Sequence, residues 1–376
     1  MDKIIVTSTW GAGYAKGGGM QWLNLHYVAG LRALGFEVFW LDVLGPPKKT
    51  AKYSPEEMVE GFRAQCEQFD LSEHWAVLYD GRETFGMKER ELRQLCGDCA
   101  LLVNLCGALK DEDLLSRAKR RAYFDLDPGF TQIWAHEWDM GLSKHNLFFT
   151  VGLNIGRPDF TVPLRGIDWQ TYTPPVALEY WPAQTDAGAE KFTTVGQWRG
   201  QYGVWNGEMY GPKSDEFLRF AELPRKTAQP IELALLIHEF EVEDLATLRG
   251  NNWRLTNPHE VAGGRDGFRS YIQRSRAEFS VAKHGYVKSR SGWLSDRTVC
   301  YLASGRPALV QETGLSSHLP TGKGLVTFST VEEAVLGIES INADYAGHSA
   351  AARKLAEDRL AAPKVMQSIL ERARVL

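Results

Sequence analysis

The chain opens on a short apolar run over 3–8, in which Ile and Val fill consecutive positions. A run that is apolar without alternation predicts a strand buried on both faces of a parallel sheet. A glycine-rich loop follows, Gly11-Ala12-Gly13 and then Gly17-Gly18-Gly19, and beyond it Leu23, Tyr27, Val28, Leu31 and Leu34 recur at spacings of three and four. That spacing predicts a helix, and Gly35 predicts its end. A second strand is expected over 36–41, closing on Asp42, and others over 75–78, 100–105, 121–124 and 147–150.

The periodic pattern lapses over 181–190, where Pro, Ala, Gly, Thr and Asp take over. It then restarts, with strands expected over 192–195, 232–237, 253–256 and 278–282 and helices over 214–222, 242–249 and 267–274. Ser295 and Asp296 are N-cap residues for a helix over 297–304 that Gly305 and Pro307 stop. Strands over 308–310 and 325–328 come next, and Thr330-x-x-Glu333 is a capping box for a helix to about 341. A last helical region over 348–376 is broken by Pro363. Strands alternating with helices imply an α/β protein, and the lapse divides it into two Rossmann-like halves. The expected domains are 1–185 and 190–345, followed by a C-terminal helical segment over 346–376.

Composition narrows the function. Hydrophobic residues make up 44% of 376, enough for two sizeable cores. Basic side chains number 43 against 47 acidic, and no stretch concentrates Lys and Arg, so a nucleic-acid partner is not expected. The longest apolar runs, 100–103 and 233–237, fall far short of the ~20 residues that span a bilayer. The segment 1–6 reads as a strand and not as a signal peptide, and five cysteines fit a reducing compartment. The expected location is the cytoplasm.

Several motifs invite chemistry. Gly11-x-Gly13, with Asp42 at the end of the next strand, suggests a dinucleotide site, but Lys16 stands where the third glycine belongs. The loop still offers bare amides and a helix start for a phosphate or a sugar oxygen, which makes Gly18 and Gly19 candidate cleft residues. Cys96-x-x-Cys99 and Cys106 have no second pair to complete a zinc site and are read as core thiols. Asp125-Leu126-Asp127 allows two uses, a metal-binding D-x-D pair or a carboxylate at a strand's C-terminal edge acting as base; Asp127 is the catalytic candidate. Twelve tryptophans are many, and Trp10, Trp134 and Trp138 are candidates to stack on a sugar acceptor, Trp10 foremost. The segment 291–297 follows a strand and opens a helix, so its amides and Arg297 face the inter-domain cleft, with Lys283 beside them.

Tyr301-Leu302-Ala303-Ser304-Gly305-Arg306-Pro307, followed by Ala308-Leu309-Val310 and Thr313-Gly314, resembles the donor-binding region of GT-B glycosyltransferases of the group-1-like branch. Gly196 and Arg199, with Lys213 before the next helix, resemble the basic pair those enzymes set on the donor diphosphate. The likeness covers 192–345, whereas 1–180 matches in architecture only. It implies two Rossmann-like domains facing a central cleft, with C-terminal helices placed to cross back to the first. It also implies a metal-independent hexosyltransferase-like enzyme without a cofactor, whose co-substrate is a nucleotide-diphosphate sugar and whose acceptor is a small molecule or a glycan. Gly196, Arg199, Lys213, Lys283, Ser291, Gly292, Asp296 and Arg297 are the implied donor-binding residues, and Trp10, Gly18 and Gly19 line the acceptor side. Where the family carries two glutamates this chain has Ser291 and Cys300, and Asp296, one helical turn before Cys300, is the expected substitute on the ribose. A sugar-nucleotide epimerase and a catalytically silent sugar-nucleotide or glycan-binding protein are the alternatives on the same fold.

Overall fold

The computed structural model describes residues 1–8, 11–13, 17–46, 53–184 and 188–376. The first sheet takes β1 (Lys3–Ser8), β2 (Glu37–Leu44), β3 (Trp75–Tyr79), β4 (Glu83–Gly86), β5 (Leu101–Leu105), β6 (Arg121–Asp125), β7 (Leu147–Thr150) and β8 (Gln170–Thr171), in the order β4-β3-β2-β1-β5-β6-β7-β8. It is parallel except where β4 runs back along β3. The second sheet is parallel throughout, with β9 (Phe192–Gln197), β12 (Ile231–Leu236), β13 (Arg254–Leu255), β14 (Ala277–Ser280), β15 (Ala308–Gln311) and β16 (Leu325–Phe328) ordered β13-β12-β9-β14-β15-β16. Between β9 and β12 a two-stranded hairpin projects, β10 (Gly203–Trp205) with β11 (Glu208–Tyr210).

The central strands are apolar on both faces because helices cover both. Ile4, Ile5 and Val6 of β1 and Phe192 of β9 have no exposed surface. In each sheet the strand order reverses beside the first strand, between β1 and β5 and between β9 and β14. Such a reversal splits the helices to opposite faces and leaves a crevice at the strands' C-terminal ends, where ligands of open α/β sheets bind.

Six helices position the site: α1 (Gly18–Ala33), α2 (Phe130–Trp134), α3 (Gly264–Gln273), α4 (Asp296–Ala303), α5 (Tyr345–Leu355) and α6 (Ala362–Arg372). The C-terminal region does not act as one segment. Helix α5 packs on α4 of the second domain, whereas α6 crosses back onto α1 of the first. Gly30 permits that crossing, since a Cβ there would lie 2.9 Å from Ala362. Just before α6, Ala361 bridges to Val176. Among the described residues no helix is long and apolar enough to cross a membrane.

Departures from the expected elements have local causes. The hairpin was hidden by its brevity, although Asn206-Gly207, both at positive φ (52° and 76°), is the turn signal that marks it. The helix expected over 214–222 ends at Phe217 and tightens into two 3₁₀ turns, Leu218–Phe220 and Leu223–Arg225, the second of which holds Pro224. Cys96 and Cys99 are core thiols, but Cys106 is exposed at positive φ (52°), where β5 gives way to a turn. Asp42 serves the loop itself. It is buried, and it accepts from Ser8 Oγ at 2.6 Å and from the amides of Gly11 and Ala12 at 3.1 and 2.8 Å. Burial outweighs those bonds and raises its pKa to about 6.

Candidate active site between the two sheets

The strand ends of both sheets enclose one cavity of about 1290 Å³. Ser8, Cys106, Asp127 and Val151 reach it from β1, β5, β6 and β7, and Gly196, Arg199, Lys283 and Asp296 from the opposite domain. A second concavity, among Glu89, Arg90, Arg93 and Arg117, shares no lining residue with this cavity.

The cations of the second domain fare very differently. Arg199 is neutralised by Glu241 (2.7 Å) and Asp244 (2.7 Å) and also reaches Ser214 Oγ (3.0 Å). Arg297, expected to meet a diphosphate, turns inward instead. Its Nε donates to Glu278 Oε1 at 2.7 Å, Nη2 to Ser280 Oγ at 2.6 Å and Nη1 to the Val195 carbonyl at 3.0 Å. All three groups that hold it are buried under the strand ends. It therefore ties α4 to β14 and β9, and its charge is spent on Glu278. Lys213 is the exception. It is 8% exposed, it lines the cavity, and among the described residues no carboxylate or carbonyl accepts from its ammonium. Burial, and then the charge of Arg297, hold its pKa well below the ordinary lysine value.

Asp296 begins α4 after the N-cap Ser295, whose hydroxyl accepts from the Arg297 amide. Its carboxylate faces the cavity, and no side chain pairs with it among the described residues. Burial raises its pKa, with partial relief from Arg297. Cys300, one turn on, does not reach the cavity; its thiol is buried against the Asp296 carbonyl (3.3 Å) and His26 Nε2 (3.5 Å).

The two carboxylates of Asp125-Leu126-Asp127 separate. Asp125 is sealed at the end of β6, accepting from Thr131, Gln132, Thr150 and the amide of Asp127. Asp127 points across the cleft to Lys283 Nζ at 2.6 Å and accepts the hydroxyl of Tyr286. Burial alone would raise its pKa, but Lys283 and the two hydrogen bonds hold it below the usual carboxylate value. Lys283 also lies over the rings of Tyr286 (5.1 Å) and Phe130 (5.4 Å).

Four expected cleft residues do structural work. A Cβ at Gly18 would fall 2.1 Å from the Gly264 carbonyl, and one at Gly19 would fall 3.2 Å from Phe268, so both glycines let α1 cross α3 of the other domain and neither faces the cavity. Ser291 and Gly292 form a seam to the first domain. Their carbonyls accept from the amides of Asn154 (3.1 Å) and Leu153 (3.4 Å), and the Gly292 amide is taken by Thr313 at 2.7 Å, leaving none for a phosphate. Trp10 lies outside the described residues.

Trp134 and Trp138 do line the cavity, stacked on each other at 6.2 Å. The hairpin meets them from the second domain: Trp134 Nε1 donates to the Tyr202 carbonyl at 2.9 Å, and Trp205 packs on His136 at 4.5 Å. His26 reaches the cavity too, but burial drops its pKa to about 3, so it is neutral.

No protein-family model matches the chain, and no curated protein matches it by sequence. Solved structures do. An α-glucosyltransferase in complex with UDP superposes with a TM-score of 0.62 at 13% identity, over 100% of both chains. That enzyme is also resolved with UDP-glucose and DNA containing an abasic site. Anabaena HepE in complex with UDP and glucose follows at 0.58 and 14%, over 100% of both chains. Sucrose-phosphate synthase from Thermosynechococcus elongatus matches at 0.56 and 12%, over 100% of this chain and 99% of that one.

The fold is GT-B. In this GT-B cleft the structure brings together Asp127, Gly196, Arg199, Lys213, Lys283, Asp296 and Arg297. It leaves out Gly18, Gly19, Ser291 and Gly292. It adds Asn24, Tyr27 and Tyr286, which the sequence reading missed. Asn24 carried a signal: a polar residue between Leu23 and Tyr27 on the apolar face of a helix.

Proposed function

We propose that this chain is a glycosyltransferase that moves a sugar from a nucleoside-diphosphate sugar to a small-molecule or glycan acceptor. The observation that carries the reading is Lys213, a buried lysine that no carboxylate pairs with among the described residues, in a cavity where Arg199, Lys283 and Arg297 are paired. Such a group is costly to leave empty and is suited to the charge that develops on a departing diphosphate. Gly196, on the same side, has no side chain to obstruct that anion. Asp296 accepts ribose hydroxyls from α4, in place of the carboxylate that Cys300 cannot supply.

The first domain serves the acceptor. Asp127 is held ionised, and it takes the proton of the attacking hydroxyl or orients that hydroxyl. The stacked Trp134 and Trp138 offer an apolar face to a sugar ring. The diphosphate needs no metal in this arrangement, so turnover persists in EDTA; loss in chelator that manganese restores would reassign Asp127 to a metal site. The net charge of −4 and the pairing of the other cleft cations favour a small acceptor over nucleic acid. Five free thiols favour the cytoplasm.

The test is a thermal-shift screen with UDP, UDP-glucose, GDP, GDP-mannose, ADP and ADP-glucose, UDP-glucose first because similar structures hold UDP or UDP-glucose. A ligand at 100 times its Kd stabilises the fold by ~2.7 kcal/mol. No shift with any nucleotide would sink the reading.

A further inference from the structure

Helix α1 is buried nearly all round. One side meets α6, another meets α3, and Met20, Leu23, Asn24 and Tyr27 face the cavity. Three polar side chains share that burial, Gln21, Asn24 and His26, and each must find a partner or raise the energy of the fold. His26 is satisfied. Its Nδ1 accepts from the Ala177 amide at 3.2 Å, which leaves the proton on Nε2, facing Cys300 Sγ. Gln21 is engaged as well. Asn24 is not: it is 1% exposed, yet its Nδ2 has no acceptor among the described residues, and it borders the cavity.

We propose that Asn24 Nδ2 donates to a hydroxyl oxygen of the transferred sugar and is a specificity-determining residue of the first domain. The proposal rests on the nucleotide-sugar reading above. The two groups assigned to the nucleotide, Lys213 and Asp296, line the cavity from the second domain, and Asn24 lines it from the first. A nucleoside diphosphate held by the second domain leaves the amide without an oxygen. A sugar joined to that diphosphate extends into the space between the domains and supplies one. A buried donor kept unsatisfied, on a helix whose other buried polar side chains Gln21 and His26 are engaged, is a stability sacrifice, the kind expected where a ligand later makes the bond.

Asn24→Leu keeps the branched shape and removes both polar atoms, and Asn24→Asp keeps the acceptor and replaces the amide donor with a carboxylate oxygen. Melting temperatures are measured for the empty proteins, and calorimetric affinities for UDP against UDP-glucose, GDP against GDP-mannose and ADP against ADP-glucose. The leucine variant is expected to melt at or above the wild type, because an orphan donor has been replaced by apolar surface. Both variants are expected to bind the nucleoside diphosphate within about twofold of wild type and its sugar conjugate about tenfold more weakly. Equal retention of both ligands overturns the proposal, as does unchanged sugar binding with slower transfer, which would move the contact to the acceptor. A fall in melting temperature of both variants with sugar preference intact makes Asn24 a packing residue and also overturns it. If the wild type binds none of these nucleotides, the nucleotide-sugar reading has failed first and takes the proposal with it.

Discussion

The ammonium of Lys283, beyond the end of β14, lies 2.6 Å from the carboxylate of Asp127, beyond the end of β6. The pair spans the cleft, so the carboxylate proposed as base is tied to a cation of the second domain. On the function proposed above, an incoming diphosphate would compete for Lys283, and whatever it drew away it would free on Asp127.

Asp127→Asn is therefore expected to lower turnover by ~10²–10⁴ with nucleotide affinity intact. Lys283→Met removes the main influence opposing burial, so the pKa of Asp127 rises. The acid limb of the kcat profile should then move to higher pH. A profile that stays in place would mean that Asp127 does not titrate in the reaction.

Lys213→Met should weaken nucleoside diphosphate binding by about ten- to a hundredfold, since a charge-assisted contact contributes roughly 1.5–3 kcal/mol. The empty protein should not lose stability, because no partner is stranded. Burial keeps Lys213 below its ordinary pKa in the empty cleft, and a bound dianion raises it. Between those two values binding takes up a proton, so affinity declines as pH rises. Calorimetry in buffers of different ionisation enthalpy reads that uptake directly.

Arg297→Ala tests a different role. Removing the guanidinium strands Glu278, which has no exposed surface, and should cost about 3–5 kcal/mol in urea unfolding. Retained stability with lost nucleotide binding would show that Arg297 leaves Glu278 to meet the ligand.

His26 makes a prediction about acid. Its pKa falls from 6.5 to about 3 on burial, so between those values the unfolded chain binds more protons than the native one. Native stability is thus full above pH 6.5 and declines as pH drops toward 3, by on the order of 4–5 kcal/mol for this group at the limit. His26→Asn should flatten that decline relative to wild type, compared by urea midpoints at pH 7 and pH 4.

Much of this architecture is legible in the sequence because buried parallel strands are nearly unbroken apolar runs. Residues 3–8, 147–150 and 325–328 form strands with the expected bounds. What escapes is set by distant partners. Nothing near Arg297 announces Glu278, nineteen positions away, as its counter-ion. Gly18 and Gly292 looked like ligand-facing glycines, yet each is small because another domain's backbone presses on it, Gly264 in one case and Asn154 in the other. Asp127 was identified from its place at a strand end, and its partner Tyr286 was not, because the contact joins residues 159 positions apart.

Ala361 returns to lie beside Val176, with the Val176 amide donating to Leu360 at 2.8 Å and the Ala362 amide to Val176 at 2.9 Å. The chain therefore quits the first domain and re-enters it at one spot, which makes the second domain an insertion and the first a discontinuous unit. Cutting out 177–360 and splicing these hydrogen-bonded neighbours would leave the first sheet, α1 and α6 as one continuous polypeptide. Deleting the last fifteen residues would do the reverse, stripping the cover from α1 while the second domain, complete before the chain re-enters, keeps its own core.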